Sequence, residues 1–138
     1  MAKNWLLITI AGLLAMTIAP VQADNLTGAD KFLCTAVQAT VCDTTGDCEV
    51  GVPWLWNIPQ FVVIDLEKKT LGTTRASGEN RVTPINTLMQ EDGLIVLQGV
   101  EGGRAFSFVI QEQTGNLSVA VAREELTVSV FGACTPQL

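Results

Sequence analysis

Histidine and tyrosine are both absent from this chain of 138 residues, and the first absence excludes more. Histidine is the usual general base near neutral pH and the commonest metal ligand. Without it, Ser-His-Asp triads and Cys-His nucleophile pairs are ruled out. Basic side chains are also scarce: 8 Lys and Arg stand against 14 Asp and Glu, a formal net charge of −6. Nucleic acid is bound mainly through Lys and Arg, and anionic membrane surfaces attract the same residues. Neither is an expected partner.

The one long apolar run lies at the start. Met1-Ala2-Lys3-Asn4 is short and weakly basic, Trp5 to Ala19 is almost unbroken apolar sequence, and Pro20-Val21-Gln22-Ala23 sets small residues where a signal peptidase reads. Residues 1–23 are therefore expected to be a signal peptide cleaved before Asp24. The run is too short to span a bilayer comfortably and no second one follows, so no membrane span is expected after cleavage. No cysteine sits at the cut, which argues against a lipid-anchored form. Removing 23 of 138 residues leaves 115, and Lys3 goes with them, so residues 24–138 carry seven basic and fourteen acidic side chains, net −7. That length fits one domain with a real core. The expected setting is outside the cytoplasm, with the chain exported or secreted, and the expected state a monomer.

Cys34, Cys42, Cys48 and Cys134 are then read as structural. Four cysteines in a small exported chain imply two disulfides, with three connectivities open. Cys42 and Cys48 flank Asp43-Thr44-Thr45-Gly46-Asp47, a turn-forming segment able to bring them together. Cys34 is left for Cys134, joining the start of the fold to its end. A zinc site lacks both histidine and a CxxC pair.

From Phe61 onward, short runs of apolar and β-branched residues alternate with turns. Phe61 to Leu66, Thr70 to Arg75, Leu94 to Gln98, Arg104 to Glu112, Leu117 to Val121 and Leu126 to Val130 read as strands. Arg81 to Gln90 is interrupted by Pro84, which suits an edge or a bend. Asp92-Gly93 is a hairpin turn signal. Leu117, Val119 and Val121 share one face and Ser118, Ala120 and Ala122 the other, a period of two. Leu33 to Val41 also reads as a strand, with Leu33, Thr35, Val37, Ala39 and Val41 on one face. The result is an all-β chain of about eight short strands, either a small antiparallel lipocalin-like barrel or a two-sheet sandwich. A bond between the terminal strands favours the barrel, because closure removes open edges.

Few residues invite chemistry. Asp43, Asp47 and Glu49 form an acidic turn, but their spacing is not that of a calcium loop. Asp65, Glu67, Glu101 and Glu112 supply carboxylates without a spacing that selects a glycosidase pair. No catalytic residue, metal ligand or cofactor site is expected, and the chain is read as a non-enzyme. Asn25-Leu26-Thr27 and Asn116-Leu117-Ser118 match the glycosylation sequon. Arg75, Glu79, Arg81 and Arg104 are placed near the turns of one end, where arginines can meet a carboxylate or phosphate and surface ion pairs are the plainer expectation. Trp54 and Trp56, between Pro53 and Pro59, form either a rigid apolar surface for a partner or a plug for the open end of the barrel. The plug is the preferred reading.

Ile58-Pro59-Gln60-Phe61 running into Ile64-Asp65-Leu66, Asp92-Gly93 through Leu97-Gln98-Gly99 to Gly103-Arg104-Ala105-Phe106, and Val130-Phe131-Gly132-Ala133-Cys134-Thr135-Pro136 together resemble a group of small uncharacterised exported proteins of Gram-negative bacteria. That resemblance implies a bacterial, periplasmic setting and brings no activity with it. A looser likeness joins Ala76-Ser77-Gly78 and Gln98-Gly99-Val100-Glu101 to the two loops of the periplasmic inhibitors of C-type lysozyme, the MliC/PliC family. Gln98 stands where that family has lysine, and the tyrosine after its Ser-Gly is missing, so Ser77 alone carries over. The resemblance implies a disulfide-bonded barrel with Ser77 at a protein partner. Binding without catalysis is the expected function, with an envelope-enzyme inhibitor or a carrier of a small apolar ligand as its two sharper forms.

Overall fold

Alternating apolar and polar side chains build ten strands in one antiparallel sheet. The structure, a computed structural model, describes residues 24–137; the expected signal peptide lies outside the described residues. The strands are β1 (Lys31–Asp43), β2 (Cys48–Gly51), β3 (Phe61–Asp65), β4 (Thr70–Thr73), β5 (Val82–Pro84), β6 (Thr87–Glu91), β7 (Leu94–Glu101), β8 (Arg104–Gln111), β9 (Asn116–Arg123) and β10 (Leu126–Pro136). Their order is β5-β4-β3-β1-β10-β9-β8-β7-β6, with β2 pairing separately on β1. The sheet curls into an antiparallel half-barrel, so the barrel expectation holds in form and the two-sheet sandwich does not.

Ten strands replace the expected eight because two strands are interrupted. Both β2 and β3 pair along the same side of β1, opposite Ala39–Cys42 and Lys31–Thr35 in turn. The link between them leaves the ladder in a short 3-10 helix at Pro53–Trp56, where Pro53 and Pro59 have no N–H to donate. Likewise β5 and β6 are the two halves of one segment. Pro84 ends the half that pairs with β4, and after Ile85-Asn86 the chain pairs with β7. The crossing residues bond to both edges: Ile85 N–H donates to Lys69 C=O at 2.8 Å and Asn86 N–H to Gln98 C=O at 2.9 Å. The two edges of the sheet are thereby held near one another by consecutive residues.

The inward face of β1 corrects the sequence reading. Phe32, Cys34 and Ala36 are buried, whereas Val37 is exposed and Ala39 is buried again. An extra residue between Ala36 and Gln38 bulges the strand against β10, and a bulge switches the side-chain alternation. Only the half after the bulge keeps the expected face. Gly132 of β10 lies opposite this point, where a Cβ would meet the Thr35 carbonyl oxygen at 2.0 Å. β9 behaves as expected, with Leu117 and Val119 buried and Ser118 and Ala120 exposed.

Both expected disulfides are present. Cys34–Cys134 joins directly opposed residues of β1 and β10, and Cys42–Cys48 joins opposed residues of β1 and β2. They indicate an oxidising, non-cytoplasmic compartment. The core is concentrated at the lower end, where β1 and β9 begin. Phe32, Ile64, Ile95, Leu97 and Ile110 fill it. Leu26 closes it from below, tied in by its N–H to Glu112 C=O at 2.7 Å.

Candidate functional site

Large side chains fill the lower half of the curled sheet, but smaller ones face inward above them. Ala36, Val41, Val119, Val121 and Val128 leave space that the bulky Phe and Ile below do not. The result is a cavity of about 360 Å³ open toward the end where β7 and β9 finish. Phe106 and Phe108 stack edge to face along one wall, ring centroids 5.8 Å apart. Gly99, opposite Phe106 on β7, makes room for that ring, since a Cβ there would lie 2.4 Å from Phe106 Cζ.

The mouth is charged for a reason written in the strand period. Inward positions fall two residues apart, and the apolar series Ile95, Leu97, Gly99 continues to Glu101. Ile110, Phe108 and Phe106 lead back to Arg104, and Leu117, Val119 and Val121 lead on to Arg123. All three charged residues line the cavity, with Arg81, Thr73 and Thr83 across from them. Arg81 Nη2 donates to Glu101 Oε2 at 3.1 Å, and its Nη1 lies 3.7 Å from Glu79 Oε2. This pair spans the seam between the β5 side of the sheet and β7. The Glu101 carboxyl is held below the usual glutamate range, first by the Thr83 hydroxyl and then by Arg81, with the charge of Arg104 adding to it.

The structure places the two tryptophans differently. Trp56 lines the cavity and packs its ring over Gly51, with Cη2 3.0 Å from the place a Cβ would take. Trp54 is outside the cavity lining and is 54% exposed. Ser77 ends a second 3-10 turn at Arg75–Ser77. Its hydroxyl donates to Thr74 C=O at 2.6 Å and accepts from Glu79 N–H at 3.2 Å, both within its own turn. Arg75 does not line the cavity, and Arg123, which the sequence reading left out, does. Continuing the β9 alternation by one step would have found it.

The acids do not assemble a catalytic pair. Asp65 lies at the lower end beside Lys68, 3.9 Å away, and Glu112 lies at the same end, whereas Glu101 is at the mouth. Asp43 closes its own turn: Thr45 Oγ1 and Thr45 N–H donate to Asp43 Oδ1 at 2.5 and 2.8 Å. Those bonds, the hydroxyl first, hold its carboxyl below the ordinary range. Among the described residues no group of three His, Cys, Asp or Glu is placed to hold a metal ion. Asn25 and Asn116 are both exposed. Among the described residues no helix is long and apolar enough to cross a membrane. No protein-family model, curated protein or solved structure matches this chain.

Proposed function

We propose that this chain is an exported, non-catalytic binding protein that takes a small apolar molecule into the cavity of its curled sheet. The observation that carries this reading is the cavity of about 360 Å³, walled by apolar side chains and open at one end. Small-molecule sites are concave, mostly apolar, and about 300–1,000 Å³ in volume, with a few polar groups to orient the ligand. A curled sheet reaches that state when its inward residues are too small to fill it, as Ala36, Val41 and Val119 are here. The expected periplasmic or secreted setting supports a carrier, since apolar molecules need cover in an aqueous compartment.

The test is titration of the purified oxidised protein with the neutral fluorescent probe N-phenylnaphthylamine. Saturable fluorescence enhancement is expected, lost in Val41→Trp, which places an indole in the cavity from a half-buried position. Val128→Trp provides a second block from another strand. Circular dichroism of both variants should retain the β signature. Probe binding that survives both substitutions in folded protein places the probe elsewhere and refutes the reading.

A further inference from the structure

Resting on that cavity reading, we infer that the ligand is an anionic amphiphile: a single apolar chain ending in a carboxylate or phosphate head. The chain has four arginines, and three of them, Arg81, Arg104 and Arg123, line this one cavity. Of its 14 acidic residues, only Glu101 does so. In an acidic protein that distribution makes the mouth a local positive site, and a cleft with low-dielectric walls focuses such a field.

The three arginines are not equivalent. Arg81 is occupied by Glu79 and Glu101. Arg104 and Arg123 are exposed and make no ion pair among the described residues. Arg104 begins β8 and Arg123 ends β9, each one step beyond the opposed pair Ala105 and Ala122. Like charges facing each other across neighbouring strands destabilise a sheet, and an anion between them removes the repulsion. Two guanidinium forks also suit the two or three oxygens of a carboxylate or phosphate. Directly below this pair lie Phe106 and Val121, the upper wall of the apolar cavity. A head at the arginines therefore directs its tail inward. The volume, near the small end for ligand sites, suits one chain rather than two.

The experiment is calorimetric titration of the oxidised protein with four probes of equal chain length, each below its micelle concentration: decanoate, decyl phosphate, decanol and decylammonium. One of the two anions is expected to bind about ten-fold or more tighter than decanol, with decylammonium weakest. Whichever anion is tighter identifies the head. Raising salt should narrow the anion-to-alcohol ratio, because exposed charges are screened. In the double variant Arg104→Gln, Arg123→Gln that ratio should fall toward one. Equal binding of decanol and both anions by the unaltered protein overturns the head-group assignment and leaves the cavity reading standing. Binding of none of the four overturns the cavity reading itself.

Discussion

Removing the two disulfides separately should give very unequal losses of stability. Cys34–Cys134 joins residues 100 apart, whereas Cys42–Cys48 joins residues 6 apart. In the chain-entropy account, closing a loop of about 100 residues restricts the unfolded chain by about 4.7 kcal/mol, and a loop of about six by roughly 2 kcal/mol. Burial widens the gap. Cys34 and Cys134 are 1% and 2% exposed, so a Cys34→Ala, Cys134→Ala variant also loses packed sulfur atoms, on the order of 1 kcal/mol more. A loss of about 5–6 kcal/mol is comparable to the whole stability of a small domain. That variant should be largely unfolded or melt far below the parent. Cys42→Ala, Cys48→Ala should fold and unfold cooperatively, with an unfolding free energy lowered by about 2 kcal/mol. Urea denaturation followed by tryptophan fluorescence measures both, because Trp56 lies against the core. Thiol titration confirms that the remaining bridge is intact. A short-loop variant as damaged as the long-loop one would refute the view of Cys34–Cys134 as the principal clasp.

Gly132→Ala should destabilise by about 3 kcal/mol or more, because the new Cβ meets backbone that no rotamer change can move; the contact is the Thr35 carbonyl oxygen at 2.0 Å. Gly72→Ala is the control: its Cβ meets nothing closer than 3.6 Å, so chemical denaturation should show a change within about 1 kcal/mol, and equal losses would contradict the close-approach argument. Acid should weaken the Arg81–Glu101 seam. The Glu101 pKa is depressed below the ordinary 4.5, so its stabilisation is complete above that value and is lost as pH falls through the lower folded value. The effect is small, since the side chain is 36% exposed and solvent screens it. Glu101→Gln should differ most from the parent near neutral pH and converge with it in acid, and a gap independent of pH would count against the assignment.

Much of the fold was legible because local chemistry and burial agree there. In β9 each apolar residue alternates with a small or polar one, so the buried face could be read directly. Asp92 and Gly93 both adopt positive φ, 52° and 76°, as a tight hairpin between β6 and β7 requires. Pro84 announced an edge and stands at the end of one. The half of β1 before Val37 was misread because a bulge leaves no periodic trace. Its cause lies on the facing strand, where Gly132 lets the two backbones approach.

The candidate site was less legible for a related reason. Arg104 and Arg123 are ordinary surface residues by composition, 19 positions apart in the chain. Strand pairing brings them together, and curling of the sheet turns that shared face inward. The sequence by itself determined the strand alternation, the pairing of its cysteines and the lack of histidine chemistry, all of which depend on residue identity and short spacing. Tertiary structure alone decided the cavity. Its volume is the difference between what the curled sheet encloses and what the small residues of Ala36, Val41, Val119 and their neighbours fill, and no single segment carries that difference.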